Sequence, residues 1–473
     1  MSYRLAPGVS RVQLADGPAL LARVPLRLVR VNEALARLLG DGAEVAARSL
    51  AERRALEALA ERGWLRVRRG PPAAEEAWPA VSVVIPVRDR EAELGRCLAS
   101  LSLLRHPPGK LEILVVDDGS RDRSAEVARR AGARVLSSGG EGRGPAAARN
   151  RAAAVARGEI LAFLDSDCTA SAEWLAELLE PFSDPEVAAV GGMVEGMHRG
   201  TALDRYEAEM SSLSLGRQGR SAGAGADTFY LPSCNLLVRR SAFAAAGGFR
   251  EELRVGEDVD LTWRLRDAGS RIVYLPEGSV LHEHRNRLPA FLRRRFEYGT
   301  SEALLHRLHP ERRKRLVLPP GATLAVVLAT AAALALSWQV AAGCAAVLLL
   351  DGALCEVRAR RLGLALPPGS VALARIRGAT SLAYHLALHL VRYYALVLLA
   401  GAVLWPRLGL LAAGMALGAA AVDHRVRRPA LSFPAFLLLW LAEHLAYGSG
   451  VLAGCLRTRD FGSYRPIVGA SDP

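Results

Sequence analysis

Acidic side chains recur where short apolar runs of this chain end. Asp89 follows VSVVIPV, Asp117 and Asp118 close ILVVDDGS, and Asp165 and Asp167 flank Ser166 at the end of ILAFLDSD. A fourth group, Glu257 and Asp258, sits in GEDVDL, ahead of an amphipathic helix beginning near Val259. One acid at a strand end is a cap or a turn residue. Three such groups on one rim of a sheet crowd like charges, which costs energy unless a cation or hydrogen-bond donors occupy the site. A divalent metal, Mg2+ or Mn2+, that bridges a diphosphate relieves the crowding and supplies a Lewis acid.

The elements that must position these acids alternate between strand and helix. Strands are predicted at Val81–Pro86, Leu111–Asp117 and Ile160–Asp165, with helices over Glu91–Leu104 and Arg123–Ala131. The turn Gly139–Gly144 leads to Pro145, well placed at the first turn of a helix that stops at Gly158. Apolar strands alternating with helices predict an α/β fold with a largely parallel sheet, whose ligands sit at the carboxyl ends of the strands. Arg149 lies on the helix after that turn, whose N-terminal amides suit phosphate; the plainer reading is a solvated helix arginine. Asp258 is a possible N-cap of the helix Val259–Ala268, and Asp260 one turn on is structural. Trp263 is core or an acceptor platform, while Ser233, Cys234 and Asn235, closing a strand Phe229–Pro232, border an acceptor pocket. His282 and His284 follow a strand Arg271–Leu275 and its turn, where either could add a metal or diphosphate ligand.

Taken in order, VIPVRD, VVDDGS, ARN, DSD and GEDVDL resemble the family-2 inverting glycosyltransferases of the GT-A fold, over roughly residues 80–300. The resemblance implies a Rossmann-like nucleotide-sugar domain in which Asp89 and Asp118 grip the nucleoside. Arg149 joins this nucleotide-sugar site, Asp165 approaches ribose or metal, and Asp167 is the main metal ligand, with His282 beside it. Asp258 would be the general base that removes the acceptor hydroxyl proton, its pKa raised by the neighbouring charge of Glu257. Glu257, Trp263 and Asn235 fall on the acceptor side. The QxxRW motif of processive polysaccharide synthases is missing; the corresponding stretch reads RRRFEYGTSEAL. That favours one sugar, or a few, added to a discrete acceptor.

The stretches RYEAEMSSLSLG, GEDVDLTWRL, HEHR and RRRFEYGTSEALLHRLHP, with the apolar tail, look like the mycofactocin biosynthesis glycosyltransferases. This implies UDP-glucose as donor, a peptide-derived redox cofactor as acceptor and a short β-1,4-glucan product. A polyprenyl-phosphate acceptor is the alternative. Residues 1–72, through LVRVNEALARLL and ALEALAERGWL, resemble PqqD-like winged-helix modules, which implies peptide contact through a strand edge. Helices are expected over Asn32–Leu39, with Asn32 as cap, and Ala46–Ala60, before a linker at Gly70–Pro79. The predicted domains are 1–72, a GT-A domain over 80–315 and a helical membrane-associated region over 316–473.

Charge and composition agree with that division. The 473 residues carry a net charge of +13, yet residues 1–281 are balanced. The excess cations flank apolar stretches at Leu316–Leu336, Val340–Leu350, Leu382–Trp405, Leu408–Val422 and Phe433–Cys455, with arginines clustered at 358–361, 375–377 and 425–428. A nucleic-acid reader would carry its charge on a folded reading domain with aromatic platforms, so no nucleic-acid partner is expected. Arginines around apolar runs instead predict contact with lipids of the cytoplasmic membrane and a cytosolic catalytic domain. The 6 scattered cysteines suit a reducing compartment, and MSYRLAPGVS has no apolar core of a signal peptide.

Overall fold

A computed structural model describes residues 2–23, 25–40, 44–68, 78–140, 142–225, 227–364, 366–367 and 369–469. The N-terminal module comprises strands β1 (Ser2–Leu5), β2 (Val9–Leu14), β3 (Gly17–Arg23) and β4 (Leu26–Arg30), helices α1 (Glu33–Leu39) and α2 (Leu50–Glu61), and strand β5 (Leu65–Arg68). Strands β2-β3-β4 form one sheet and β1-β5 another. Asn32 caps α1 as expected, accepting from the Leu35 amide. Helix α2 starts at Leu50 rather than Ala46 because the Ser49 hydroxyl takes the Glu52 amide as its N-cap. Tyr3, Leu20, Leu39, Leu56 and Trp64 close the small core. Ion pairs Arg53–Glu180 (3.6 Å) and Arg271–Glu57 (3.3 Å) seat α2 on the next domain. Of the expected linker, residues 70–77 lie outside the described residues.

The elements of the central domain run β6 (Val81–Val87), α3 (Glu91–Leu101), β7 (Leu111–Asp117), α4 (Ser124–Arg130), β8 (Arg134–Ser137), α5 (Pro145–Ala153), β9 (Ile160–Leu164), β10 (Cys168–Ala170) and α6 (Trp174–Leu178). They continue with β11 (Val187–Gly191), β12 (Val194–Gly196), α7 (Ala202–Met210), β13 (Arg220–Ala222), β14 (Asn235–Arg239), α8 (Arg240–Ala245), α9 (Glu257–Asp267), β15 (Arg271–Tyr274), β16 (Val280–His282) and α10 (Leu288–Leu308). The main sheet is ordered β13-β15-β11-β14-β9-β6-β7-β8. Its β9-β6-β7-β8 half is parallel, as predicted. The other half is mixed, because β14 runs antiparallel to both β9 and β11. The strand expected at Phe229–Pro232 forms instead at Asn235–Arg239, where Leu236, Leu237 and Val238 are fully buried; Pro232 has no amide to give a ladder. A second sheet, β10-β16-β12, places Cys168 opposite His282. That register brings the loop after β9 beside the histidine.

Beyond it, β17 (Arg315–Val317) precedes five helices: α11 (Pro320–Ala335), α12 (Trp338–Arg361), α13 (Ser370–Leu404), α14 (Pro406–Arg427) and α15 (Phe433–Thr458). A last strand, β18 (Ile467–Gly469), returns to pair in parallel with β17. The ladder takes up Leu316 and Val317, so the first apolar segment gives a helix of 16 residues, about 24 Å at 1.5 Å per residue and short of the roughly 30 Å hydrocarbon core. Helices α12, α13 and α15 are long and apolar enough to cross a membrane.

Helix α15 is fastened to α10 at very close range. A Cβ on Gly299 would lie 2.2 Å from the Tyr447 carbonyl, one on Gly450 2.1 Å from the Phe296 carbonyl, and one on Gly454 2.5 Å from the Thr300 carbonyl. Only glycines allow the two backbones so near, the logic of small-residue helix crossings. Gly299→Val should therefore lower the detergent-solubilised melting temperature by several degrees, since overpacking costs about 1–3 kcal/mol or more. Gly343→Ala, whose Cβ meets nothing within 4 Å, should leave it unchanged or slightly raised.

Candidate active site

The strand tips converge on a cavity of about 730 Å³ that runs from the β6, β7 and β9 ends, past α9 and α10, to α13 and α15. On its near side Asp118 anchors the glycine turn. Its Oδ1 accepts from the Ser138 hydroxyl (2.7 Å) and the Arg143 amide (2.9 Å), and its Oδ2 from the Gly144 amide (2.9 Å). This fixes the start of α5, from whose second turn Arg149 points inward.

Arg149 is 2% exposed. Its Nη2 donates to Asp165 Oδ1 at 2.6 Å and its Nη1 to Glu257 Oε1 at 2.8 Å. It is therefore neither a solvated helix arginine nor free to grip phosphate; it bridges the β9 tip to the α9 N-terminus. Burial pushes the Asp165 carboxyl up, but Arg149, helped by His282, outweighs it and holds the group below the usual range. Across the bridge the balance reverses: burial, then the Asp258 charge, raises Glu257 to about 7 despite Arg149.

Gly256, at φ +84°, makes the left-handed turn that opens α9. The helix thus begins at Glu257 instead of Val259, and Asp258 lies in its first turn rather than capping it. Asp258 faces the cavity. Its Oδ2 accepts from the Ser233 amide (3.0 Å) and its Oδ1 from the Val259 amide (2.8 Å). Burial still raises its carboxyl, only partly offset by those amides and Arg149. Asp260 is structural, as expected: it is fully buried, with His309 and Arg250 on Oδ1 and Arg264 on Oδ2.

Asp167 lines the same cavity. His282 Nε2 is 3.5 Å from its Oδ1, which is buried without a hydrogen-bond partner, and Arg90 Nη1 is 3.0 Å from its Oδ2. Cys168 shares this corner, but burial pushes its thiol well up. An orphaned carboxylate oxygen beside an imidazole nitrogen fits a divalent cation, with Asp167 and His282 as its protein ligands. His284 turns away, its Nδ1 3.9 Å from Glu207, and is pushed down to about 3 by burial and then by His282.

Two expected residues leave the site. Asp89, at φ +52°, is exposed and spends Oδ1 on the Arg121 amide at 2.6 Å, stapling the β6 and β7 loops outside the cavity wall. Asn235 is fully buried, donating to the Met193 and Gly278 carbonyls and accepting from Trp174 Nε1, so it braces two sheets behind the pocket. Ser233, Cys234 and Trp263 do line the cavity. Trp263 is 6% exposed and ties its Nε1 to the Phe229 carbonyl, which makes it mainly framework.

The sequence reading missed the cations and the helical wall. Arg90, Arg285 and Arg294 border the same corner; burial, then Arg90, holds the Arg285 guanidinium below its usual range. Arg295 is buried between Glu207 of α7 and Glu443 of α15, and the Tyr206 hydroxyl donates to Glu443 at 2.7 Å. The signal for this bridge was Glu443 itself, an ionisable residue inside an apolar run. The distinctive RYEAEM stretch is its catalytic-domain half.

Residues 82–247 match the model of glycosyl transferase family 2. The chain is 33% identical to the pre-mycofactocin glycosyltransferase of Mycobacterium tuberculosis strain H37Rv, covering 96% of this chain and 95% of that protein. It is 32% identical over 230 residues to glycosyltransferase AglE of Haloferax volcanii, covering 47% and 73% of the two chains. A solved mannosyltransferase from Pyrobaculum calidifontis, in complex with GDP-Man and Mn2+, is 18% identical with a TM-score of 0.47, covering 84% of this chain and 93% of that one.

The cation assignment is checked without turnover. In a Mn2+ titration followed by electron paramagnetic resonance, Asp167→Asn and His282→Gln should each weaken binding about tenfold or more. Unchanged affinity in both would remove the pair as ligands.

Proposed function

The chain belongs to glycosyl transferase family 2 and, within it, to the pre-mycofactocin glycosyltransferases, and on that premise we propose that it moves glucose from UDP-glucose to a hydroxyl of a mycofactocin-type acceptor with inversion. Repeated transfer builds a short β-1,4-glucan chain. The observation that carries this reading is Asp258, a carboxylate held by two backbone amides in the cavity that Asp167 and His282 also line.

Asp258 accepts the proton of the acceptor hydroxyl as that oxygen attacks the anomeric carbon from the face opposite the departing diphosphate. The Ser233 and Val259 amides fix the carboxylate in direction, and the Arg149 bridge holds its helix at the donor's edge. Asp167 and His282 would hold Mg2+ or Mn2+, which would neutralise the charge of the leaving diphosphate. Arg90, Arg285 and Arg294 add fixed positive charge along the same path. Asp118 and Asp165 border the nucleotide side, and the open middle of the cavity, past Tyr230 and Tyr298, receives the acceptor.

The N-terminal module seats α2 beside β13 of the main sheet, and a peptide or partner would pair with an outer strand of its β2-β3-β4 sheet. The arginines gather at the α12–α13 and α14–α15 connections, which supports a catalytic domain on the cytosolic face of the membrane. A polyprenyl-phosphate acceptor is the second reading, favoured by the walls that α13 and α15 contribute to the cavity.

Asp258→Asn should bind UDP-glucose within twofold of wild type by calorimetry yet lose transfer by about 10²-fold or more, the scale of general base catalysis. Mass spectrometry of the cofactor pool with and without the protein should show a series spaced by one hexose; a lipid-extractable sugar phosphate in its place supports the second reading. The base works deprotonated and the Glu257–Asp258 pair titrates high. Activity should therefore fall as pH drops through a limb above the usual carboxylate range, and Glu257→Gln should move that limb to lower pH.

A further inference from the structure

The far end of the cavity is chemically unlike the donor end. It is lined by Ser301–His306 of α10, Arg312–Lys314, Arg392 of α13, Tyr447 of α15 and the strap Gly462–Pro466 that carries the chain from α15 to β18. The strap is built in: the His306 Nδ1–Asp460 pair spans 3.0 Å, the Gly462 amide donates to Asp460 at 2.7 Å, and the Tyr394 hydroxyl donates to the Tyr464 carbonyl at 2.9 Å.

Cations outnumber carboxylates in this lobe, whose acids are Glu302 and Glu443. Glu302 is satisfied by Lys314 at 2.8 Å and by the Tyr393 hydroxyl at 2.7 Å. Arg313 donates to the Pro310 carbonyl, Arg392 lies 3.7 Å over the Tyr447 ring, and Arg465 is exposed on the strap. None of the three has a carboxylate partner among the described residues. His306 Nε2 and Ser463 Oγ, in the same lobe, are buried with no hydrogen-bond partner among the described residues. Guanidinium groups without a directly paired carboxylate, beside orphaned polar atoms in a walled lobe, favour an anion with several acceptor oxygens.

We propose that this lobe is an oxyanion site, with Arg313, Arg392 and Arg465 as its cations, that holds a phosphate or carboxylate away from the reacting hydroxyl. Two sources share that chemistry: the headgroup of an anionic lipid beside the apolar helices, and an anionic group on the acceptor. The assignment stands apart from the identity of the acceptor, since phosphate and lipid can be tested without it.

The test uses the full chain in nanodiscs, with UDP and Mn2+ saturating so that the donor site is filled. Calorimetry with inorganic phosphate should detect a site in wild type whose affinity falls tenfold or more in the double variant Arg313→Gln/Arg465→Gln, both positions lying outside the catalytic groups. A lipid source predicts that replacing phosphatidylcholine by phosphatidylglycerol weakens phosphate binding to wild type tenfold or more, by filling the site. An acceptor source predicts a tenfold rise in acceptor KM with donor KM within twofold. Phosphate binding that is missing, or equal in wild type and variant, overturns the proposal, as does phosphate binding with neither response. Failure of wild type to glycosylate a mycofactocin-type acceptor would sink the functional reading alone, because the phosphate and lipid measurements do not involve that acceptor.

Discussion

One buried guanidinium joins the two halves of the reaction centre. Arg149 reaches Asp165 at the tip of a central strand with one arm and Glu257 at the head of α9 with the other. A buried cation without partners would be prohibitively costly, and so would two buried carboxylates left alone. The three groups therefore require one another, and that requirement fixes the distance between the donor rim and Asp258. It also divides the acids electrostatically. Asp165 stays ionised beside the cation, while Glu257 and Asp258, pressed together in poor contact with water, keep raised proton affinities. Two carboxylate environments a few ångströms apart can thus serve opposite tasks, one holding charge and the other exchanging a proton.

The helical region is part of the catalytic wall. The α10–α15 crossing is tight enough for backbone contact, and Arg295 spans Glu207 and Glu443 within it. Replacing either carboxylate would leave a buried cation short of its counter-charge, so catalytic domain and helices form one packed body. The cavity consequently ends on Arg392 and Tyr447, side chains of helices that a sequence profile assigns to the membrane.

Much of the near side could be read from sequence, because strand-end acids follow from local pattern. Asp118, Asp165, Asp167, Asp258 and His282 reach one cavity for that reason. Asp89 and Asn235 did not, since their fate depends on which loop or sheet turns up opposite: Asp89 found the Arg121 amide, and Asn235 found Trp174 and two carbonyls. Arg149 was correctly located and differently employed, because burial is set by Phe249 and α9, far along the chain. The mixed half of the sheet was hidden by Pro232, which shifted the strand to Asn235. The far lobe was invisible for a simpler reason: its members lie between Ser301 and Pro466 and meet only after five helices have folded back.

The β17–β18 ladder has a topological consequence. Its two strands precede the first apolar helix and follow the last, and hydrogen bonding holds them on the same side of any bilayer. A chain that leaves a surface and returns to it crosses an even number of times. Three helices are long and apolar enough to span, and three is odd. Helix α15, sealed along α10 by glycines, is the one whose packing keeps it with the catalytic domain. The parity then pairs α12 and α13 with α11 and α14 as four crossings, because a lone α12–α13 hairpin would put its arginine-bearing connection on the far side of the bilayer.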